Sequence, residues 1–351
     1  MTATATVRDG GRRYGRVGGI AVLWVGGLIA LVMSIAFAIT IGPAGLGIGD
    51  VLRSARAHVV GGSTGLTALE DAIIWDSRLP QSLLAATCGA GLAVCGAVLQ
   101  ALLRNPLADP FVLGISSGAS VGAVAVVLLG VGSGVVGMAG GAFVGAGLAF
   151  SLVLLLSWLA GGTTDRVLLA GIAVTQLFSA LTSFIVYTAA DAEQTRGVLF
   201  WLLGSLSAPT WSQVQICAAV ALMGVLVCLF SSGSLDAFTF GNDTALSLGV
   251  NVARARIILL TVTALLTAVI VSVAGAIGFV GLVLPHAARA LVGVRHRIML
   301  PTVVILGALF LVWADIAGRV LVSPQELPIG VVTAIVGVPA FVIILIRHGR
   351  R

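Results

Sequence analysis

The side chains able to do chemistry are few and scattered. Four histidines (His58, His286, His296, His348), four cysteines (Cys88, Cys95, Cys217, Cys228) and thirteen carboxylates are available in 351 residues. No histidine stands at metal-ligand spacing from a carboxylate, and no CxxC occurs, so neither a zinc site nor a disulfide framework is indicated. The cysteines all lie in apolar runs and read as small buried hydrophobes. All nineteen basic residues are Arg, and a chain without Lys holds no phosphate-binding GxxxxGK[ST] loop. The chain therefore has no means of hydrolysing ATP. One acidic residue, Asp315, sits near the end of an apolar run, four residues before Arg319, at the spacing of a local helical ion pair. Ion-coupled carriers place ionisable groups at mid-membrane. Their scarcity here argues against a secondary carrier, the reading from a different class, and puts the energy source outside the chain. Catalytic and metal-binding residues are expected to be none.

The elements that must position these groups are membrane helices. Apolar residues make up 59% of the chain and charged residues 9%, too few charges to clothe a soluble domain of this size. An all-α polytopic fold follows, with about ten spans near 18–41, 79–103, 111–131, 138–160, 167–188, 211–231, 257–275, 277–293, 301–318 and 329–346. The run 257–293 is too long for one span, and Gly275-Ala276-Ile277-Gly278 supplies the turn that divides it. The arginines sit at run ends. With both termini cytoplasmic, fourteen of the nineteen fall on inner segments, as the positive-inside rule requires. This distribution sets the high isoelectric point apart from nucleic-acid binding. Residues 1–17 form a basic cytoplasmic tail and 18–351 one transmembrane domain. The first run, after Arg8, Arg12, Arg13 and Arg16, exceeds the length of a signal-peptide core and reads as an uncleaved span. Gly118 with Gly122, and Gly137, Gly141 and Gly145, recur at the spacing that lets helix backbones approach. A short helix is expected within 191–210 at the outer mouth. The inner stretch 232–256 carries Ala237, Phe240, Thr244, Leu248 and Val252 at helical spacing, with Gly241 and Gly249 breaking it into pieces. Its apolar face needs a cover: the chain's own spans, lipid headgroups or a partner.

Six segments carry a further signature: Arg78-Leu79-Pro80; Gly96 to Gln100 running into Arg104-Asn105-Pro106-Leu107-Ala108-Asp109-Pro110; Leu113 to Ala119; Trp201 to Ser205; Gly275 to His286; and Glu326 to Gly330. In this order and spacing the sequence resembles the permease subunits of type II ABC importers, which take up ferric siderophores, haem and cobalamin. The resemblance implies a multi-pass protein of the bacterial cell membrane with ten spans. It further implies a homodimer with the pathway on its axis, two ATPase subunits binding ATP and Mg below, and an extracytoplasmic substrate-binding protein above. The chain itself would need no cofactor. An iron chelate is the expected cargo, with haem or cobalamin as alternatives.

By the same resemblance, Arg78 and Arg319 would dock the binding protein, and Gln81 replaces a base found in some members. Arg78 is otherwise a snorkelling span-end residue, and Arg319 a partner for Asp315. The ATPases would meet Phe240 to Val250, in particular Gly241, Asp243, Thr244, Ala245, Leu248, Gly249 and Val250. Asn242 and Asp243 stand where the family commonly has two acids. The cytoplasmic gate would use Asn105, Leu107, Thr164 and Asp165, Asn105 serving equally as a helix cap. The fifth span would line the pathway, with Thr175, Gln176, Ser179, Thr182 and Ser183 as candidates.

Overall fold

The computed structural model describes residues 8–42, 45–130, 137–189, 192–322 and 325–348. Most of the basic tail's first half, Asp191, Arg350 and Arg351 lie outside them. Fifteen α-helices follow one another among the described residues: α1 (Arg8–Thr40), α2 (Ile48–Val60), α3 (Ala68–Ala72), α4 (Leu79–Leu102), α5 (Ile115–Leu129), α6 (Gly137–Leu159), α7 (Thr164–Thr188), α8 (Ala192–Leu202), α9 (Trp211–Phe230), α10 (Ser232–Thr239), α11 (Asn242–Ser247), α12 (Val252–Ala274), α13 (Val280–Val292), α14 (His296–Val320) and α15 (Ile329–His348). A π-helical turn, Ile73–Arg78, leads into α4, and a 3-10 turn, Pro110–Leu113, leads into α5.

Among the described residues, seven helices are long and apolar enough to cross a membrane, and three shorter apolar ones, within α5, α13 and α15, occupy the remaining expected spans. The division of 257–293 falls where the glycines place it. α12 ends at Ala274, Gly275 takes φ +68° and ψ −163°, a conformation open to glycine, and α13 begins at Val280. At thirteen residues, α13 rises only about 20 Å. Side-chain caps fix other starts. Thr210 accepts from the Gln213 N–H while Gln213 accepts from the Thr210 N–H, closing a capping box at α9.

The hub is α4, where 83% of the most apolar stretch is buried, against 6% for α1 at the edge. Helix approach around it is set by glycine. A side chain at Gly89 would overlap the Gly307 carbonyl of α14, and one at Gly96 the Gly281 carbonyl of α13. Gly118 faces Gly145, and Gly122 faces Gly141, joining α5 to α6. Gly137, the third member of the expected repeat, faces open space.

The segment between α1 and α4, expected on the outer side, is more structured than its sequence reads. Val51 of α2 joins Ile39, Leu46 and Ile74 in a small separate core. His58 stacks on Trp75 at 4.1 Å, and Trp211 donates to the Trp75 carbonyl at 3.1 Å. The sequence reading placed no helix here, because no continuous apolar run marks one.

Candidate functional site

Three of the six signature segments meet at one place. The backbone between α12 and α13 is not helical, yet Ala274 and Ile277 are fully buried. One of the other two segments bonds the end of α12, and the two bond each other. The Ser205 N–H donates to the Ala274 carbonyl at 2.8 Å, the Ile329 N–H to the Gly204 carbonyl at 2.9 Å, and the Gly330 N–H to the Leu203 carbonyl at 3.1 Å. A side chain at Gly275 would overlap the Trp201 carbonyl, and one at Gly330 the Leu203 carbonyl. Irregular backbone at membrane depth is tolerated where protein covers it, and these glycines let the covering strands close.

A second junction lies where α4 crosses α13. Pro285 has no N–H, so the Gly281 carbonyl loses its helical donor. Gln100, buried on α4, donates its side-chain amide to that carbonyl at 3.2 Å and to the Leu282 carbonyl at 3.3 Å. Arg289 donates to the Gln100 side-chain oxygen, which fixes the orientation of the amide. His286 Nδ1 bonds the Leu282 carbonyl at 2.9 Å. The loop after α4 is anchored to the same residue, since the Asn105 N–H donates to the Gln100 carbonyl at 3.2 Å. Asn105 then closes a turn by accepting from the Leu107 N–H at 2.9 Å, leaving Leu107 exposed. Asp109 accepts from the Phe111 N–H at 2.9 Å and caps the 3-10 turn. Burial pushes the Asp109 carboxyl up to about 6 despite that bond. Thr164 and Asp165 open α7 and carry no hydrogen bond to the 105–107 turn among the described residues.

At the end of α14 expected to face outward, Asp315 and Arg319 form an ion pair at 2.9 Å, with side chains 5% and 6% exposed. Gln81 donates to Asp315 at 2.9 Å, and Arg319 donates to the Ala38 carbonyl at 3.1 Å. The pair meets in distance but not in hydrogen-bond angle, so Arg319 Nε and Nη2 and Asp315 Oδ2 have no hydrogen-bond partner. Gln81 is thus committed to Asp315. Arg78 is half-buried, its guanidinium against Gly42.

The inner segment differs from the single amphipathic face expected of it. Gly241 at φ +105° and Gly249 at φ +81° bound α11 and break the helical phase. Leu235, Ala237, Phe238 and Ala245 turn inward, while Phe240, Leu246 and Leu248 are 74%, 57% and 66% exposed. Phe240 and Leu248 thus do not share a face with Ala237. Asn242, Asp243, Thr244 and Gly249 are exposed, Gly241 is buried and Val250 half-buried. Arg256 donates to Asn242 at 3.2 Å, and the Arg104 guanidinium lies beside Gly241.

Among the fifth-span candidates, Thr182 is buried and bonds its own helix at the Phe178 carbonyl. Thr175 is half-buried, whereas Gln176, Ser179 and Ser183 are exposed together on α7. Sequence reading missed Asp236 on α10, whose carboxylate meets His296 at 2.7 Å, and the Gln100–Arg289 contact. A proline inside an apolar helix was the one available signal for Gln100, because such a proline leaves a carbonyl seeking a donor.

A solved structure of a transporter assigned to the metal-chelate ABC type, in an inward-facing conformation, superimposes with a TM-score of 0.78 at 28% identity, covering 93% of this chain and 99% of that one. Residues 30–347 match the model of the FecCD transport family. The chain belongs to that family: it is a permease of the type II ABC importer class and a multi-pass protein of the bacterial inner membrane. Curated relatives include the cobalamin import permease BtuC of Halobacterium salinarum, 41% identical over 80% of this chain and 75% of its own length. The hemin transport permease HmuU of Yersinia pestis is 39% identical over 80% and 86%. The iron(3+)-hydroxamate permease FhuB of Bacillus subtilis is 33% identical over 100% and 88%. Proteins of this kind are transport components rather than catalysts, and work with ATPase and substrate-binding partners.

Proposed function

We propose that the chain carries a ferric siderophore or related iron chelate across the membrane as one half of a homodimer, with the pathway on the two-fold axis. ATP and Mg are bound by two ATPase subunits seated on the inner segment, and an extracytoplasmic binding protein delivers the cargo. The observation that carries the ATP-driven reading is the inner segment. Phe240, Leu246 and Leu248 form exposed apolar surface on short glycine-bounded pieces between two membrane helices, which suits a partner protein's groove. Gln176, Ser179 and Ser183 supply the pathway with small, weakly polar groups that a bulky chelate can pass without being held. Asn105 and Leu107 at one turn and Thr164 and Asp165 at another form the gate when two copies meet.

The iron-chelate cargo is supported by similarity to the hydroxamate permease along the whole chain and by the metal-chelate assignment of the solved neighbour. Similarity to the cobalamin and hemin permeases supports those cargoes as the second reading. Binding of ferric hydroxamate, haem and cobalamin to the cognate binding protein distinguishes them. Selective nanomolar or micromolar binding of the ferric hydroxamate agrees with the proposal, and selective binding of either other compound replaces it.

A further inference from the structure

The inner end of α14 lacks a cap of its own. Arg295 occupies the cap position and provides no side-chain bond to the first turn. The free N–H of His296 is met instead by Asp236, sixty residues earlier on α10, at 2.9 Å. The same carboxylate oxygen receives a second bond from His296 Nδ1 at 2.7 Å. A carboxylate only accepts, so the proton between them sits on Nδ1. His296 is 3% exposed, and its neighbours on α10, Leu235 and Phe238, are buried as well. A carboxylate at a helix N-terminus also meets the positive end of the helix dipole.

Leu235, Phe238 and Ala245 of this segment pack into the main apolar core, and its other polar attachments are weaker than the Asp236–His296 pair. Asn242–Arg256 is exposed, and Arg104 touches Gly241 without a hydrogen bond in the described set. Toward its far end, about 29 and 35 Å from His296, α14 carries Asp315 and Arg319. Along its length it is locked to α4 at Gly307 and Gly89.

We infer that Asp236 and His296 are positioning residues that fasten the 232–250 segment to α14, so that displacement of the segment by the ATPases is carried along α14 to the outer ion pair. This rests on the reading of that segment as the ATPase seat. It supplies the specific contact through which the seat acts on the membrane helices. A physical coupling claim needs an element that both ends bias, and α14 is the element this proposal assigns.

The test uses the assembled transporter and needs no cargo. Val320, the last residue of α14, is 53% exposed, whereas all four native cysteines are buried. Val320→Cys therefore takes a nitroxide label selectively. Trapping the complex with ATP and vanadate should change the label's spectrum in the parent. His296→Phe, which keeps ring volume but loses the donor, should reduce that change at least about fivefold while the ATPases stay bound. Asp236→Ala alters a partly exposed side chain and should do the same, so the contact is read even where the buried site tolerates no change. His296→Asn, which restores an N–H donor near Nδ1, should recover the response. A purely structural role would lower the yield or melting temperature of all three variants without this split. The inference is overturned if the parent shows no spectral change, if His296→Phe or Asp236→Ala responds like the parent, or if His296→Asn responds no better than His296→Phe. The seat itself is tested apart from this. If Leu248→Asp leaves ATPase binding intact, the seat reading falls, whatever the His296 variants do.

Discussion

Gln100 donates its side-chain amide to the Gly281 carbonyl, the one that Pro285 leaves without a helical donor. The proline and the glutamine are thus two halves of one feature, 185 residues apart, and neither is explained alone. Gln100→Ala should destabilise the purified protein by about 1–3 kcal/mol, the cost of an unmet buried polar group. Pro285→Ala returns an N–H to the helix, so the double variant should lose clearly less than the two single losses combined. Thermal melting in detergent reads both, and simple additivity would mean the two residues act independently.

The two outer arginines should separate in experiment. Arg319 neutralises a buried carboxylate, so Arg319→Ala should cost about 3–5 kcal/mol, and Asp315→Ala in the same chain should recover part of it. Arg78 is more accessible, so a proposed docking role falls to it before Arg319. Arg78→Glu should weaken binding-protein affinity most at low ionic strength, with the difference shrinking in salt. Titration of the binding protein at two salt concentrations decides. Equal affinity for parent and variant at low salt would remove Arg78 from the interface.

Leu248→Asp places a charge in the exposed apolar surface proposed for the ATPases. Co-purification of the ATPase and transport should fall together, by about tenfold or more, while membrane insertion is unchanged. Quantitative pull-down against the level of inserted protein provides the measurement.

Asp109 gives the protein a pH dependence with a definite sign. Its carboxyl is pushed from 3.8 up to about 6, so the folded form holds its proton more tightly than the unfolded chain. This contribution to stability is complete below about pH 4 and is lost as pH rises through about 6. Asp109→Asn keeps an oxygen to accept from Phe111 and has no charge to desolvate. Melting temperatures from pH 4.5 to 7.5 should show the variant gaining on the parent as pH rises. A constant difference across that range would contradict the assignment.

Hydropathy made the membrane helices legible, because each span buries or exposes a continuous apolar run that no surface loop imitates. Gly275-Ala276-Ile277-Gly278 was likewise readable, since a turn there resolves an overlong run. Helical spacing allowed the Asp315–Arg319 pair, which stood as the alternative to a docking role for Arg319. Contacts across the chain were beyond such reading. Asp236 and His296, or Gln100 and Arg289, lie on different helices whose packing no local pattern encodes. The inner segment was misphased for a physical reason: Gly241 takes a left-handed backbone, so Phe240 and Leu248 belong to different pieces and the helical spacing across them has no meaning. The outer helix α2 was missed because its inward face is only Val51 and Ser54.

The central claim is ATP-driven import through this chain. Its most direct test is uptake of radiolabelled ferric hydroxamate into proteoliposomes holding the permease with its ATPase, with the binding protein supplied on the outer side, and with haem and cobalamin run in parallel. Uptake should require ATP on the ATPase side, both partners and the permease together, and should ignore imposed proton or sodium gradients. Uptake by the permease alone, driven by such a gradient without ATP, would contradict the account.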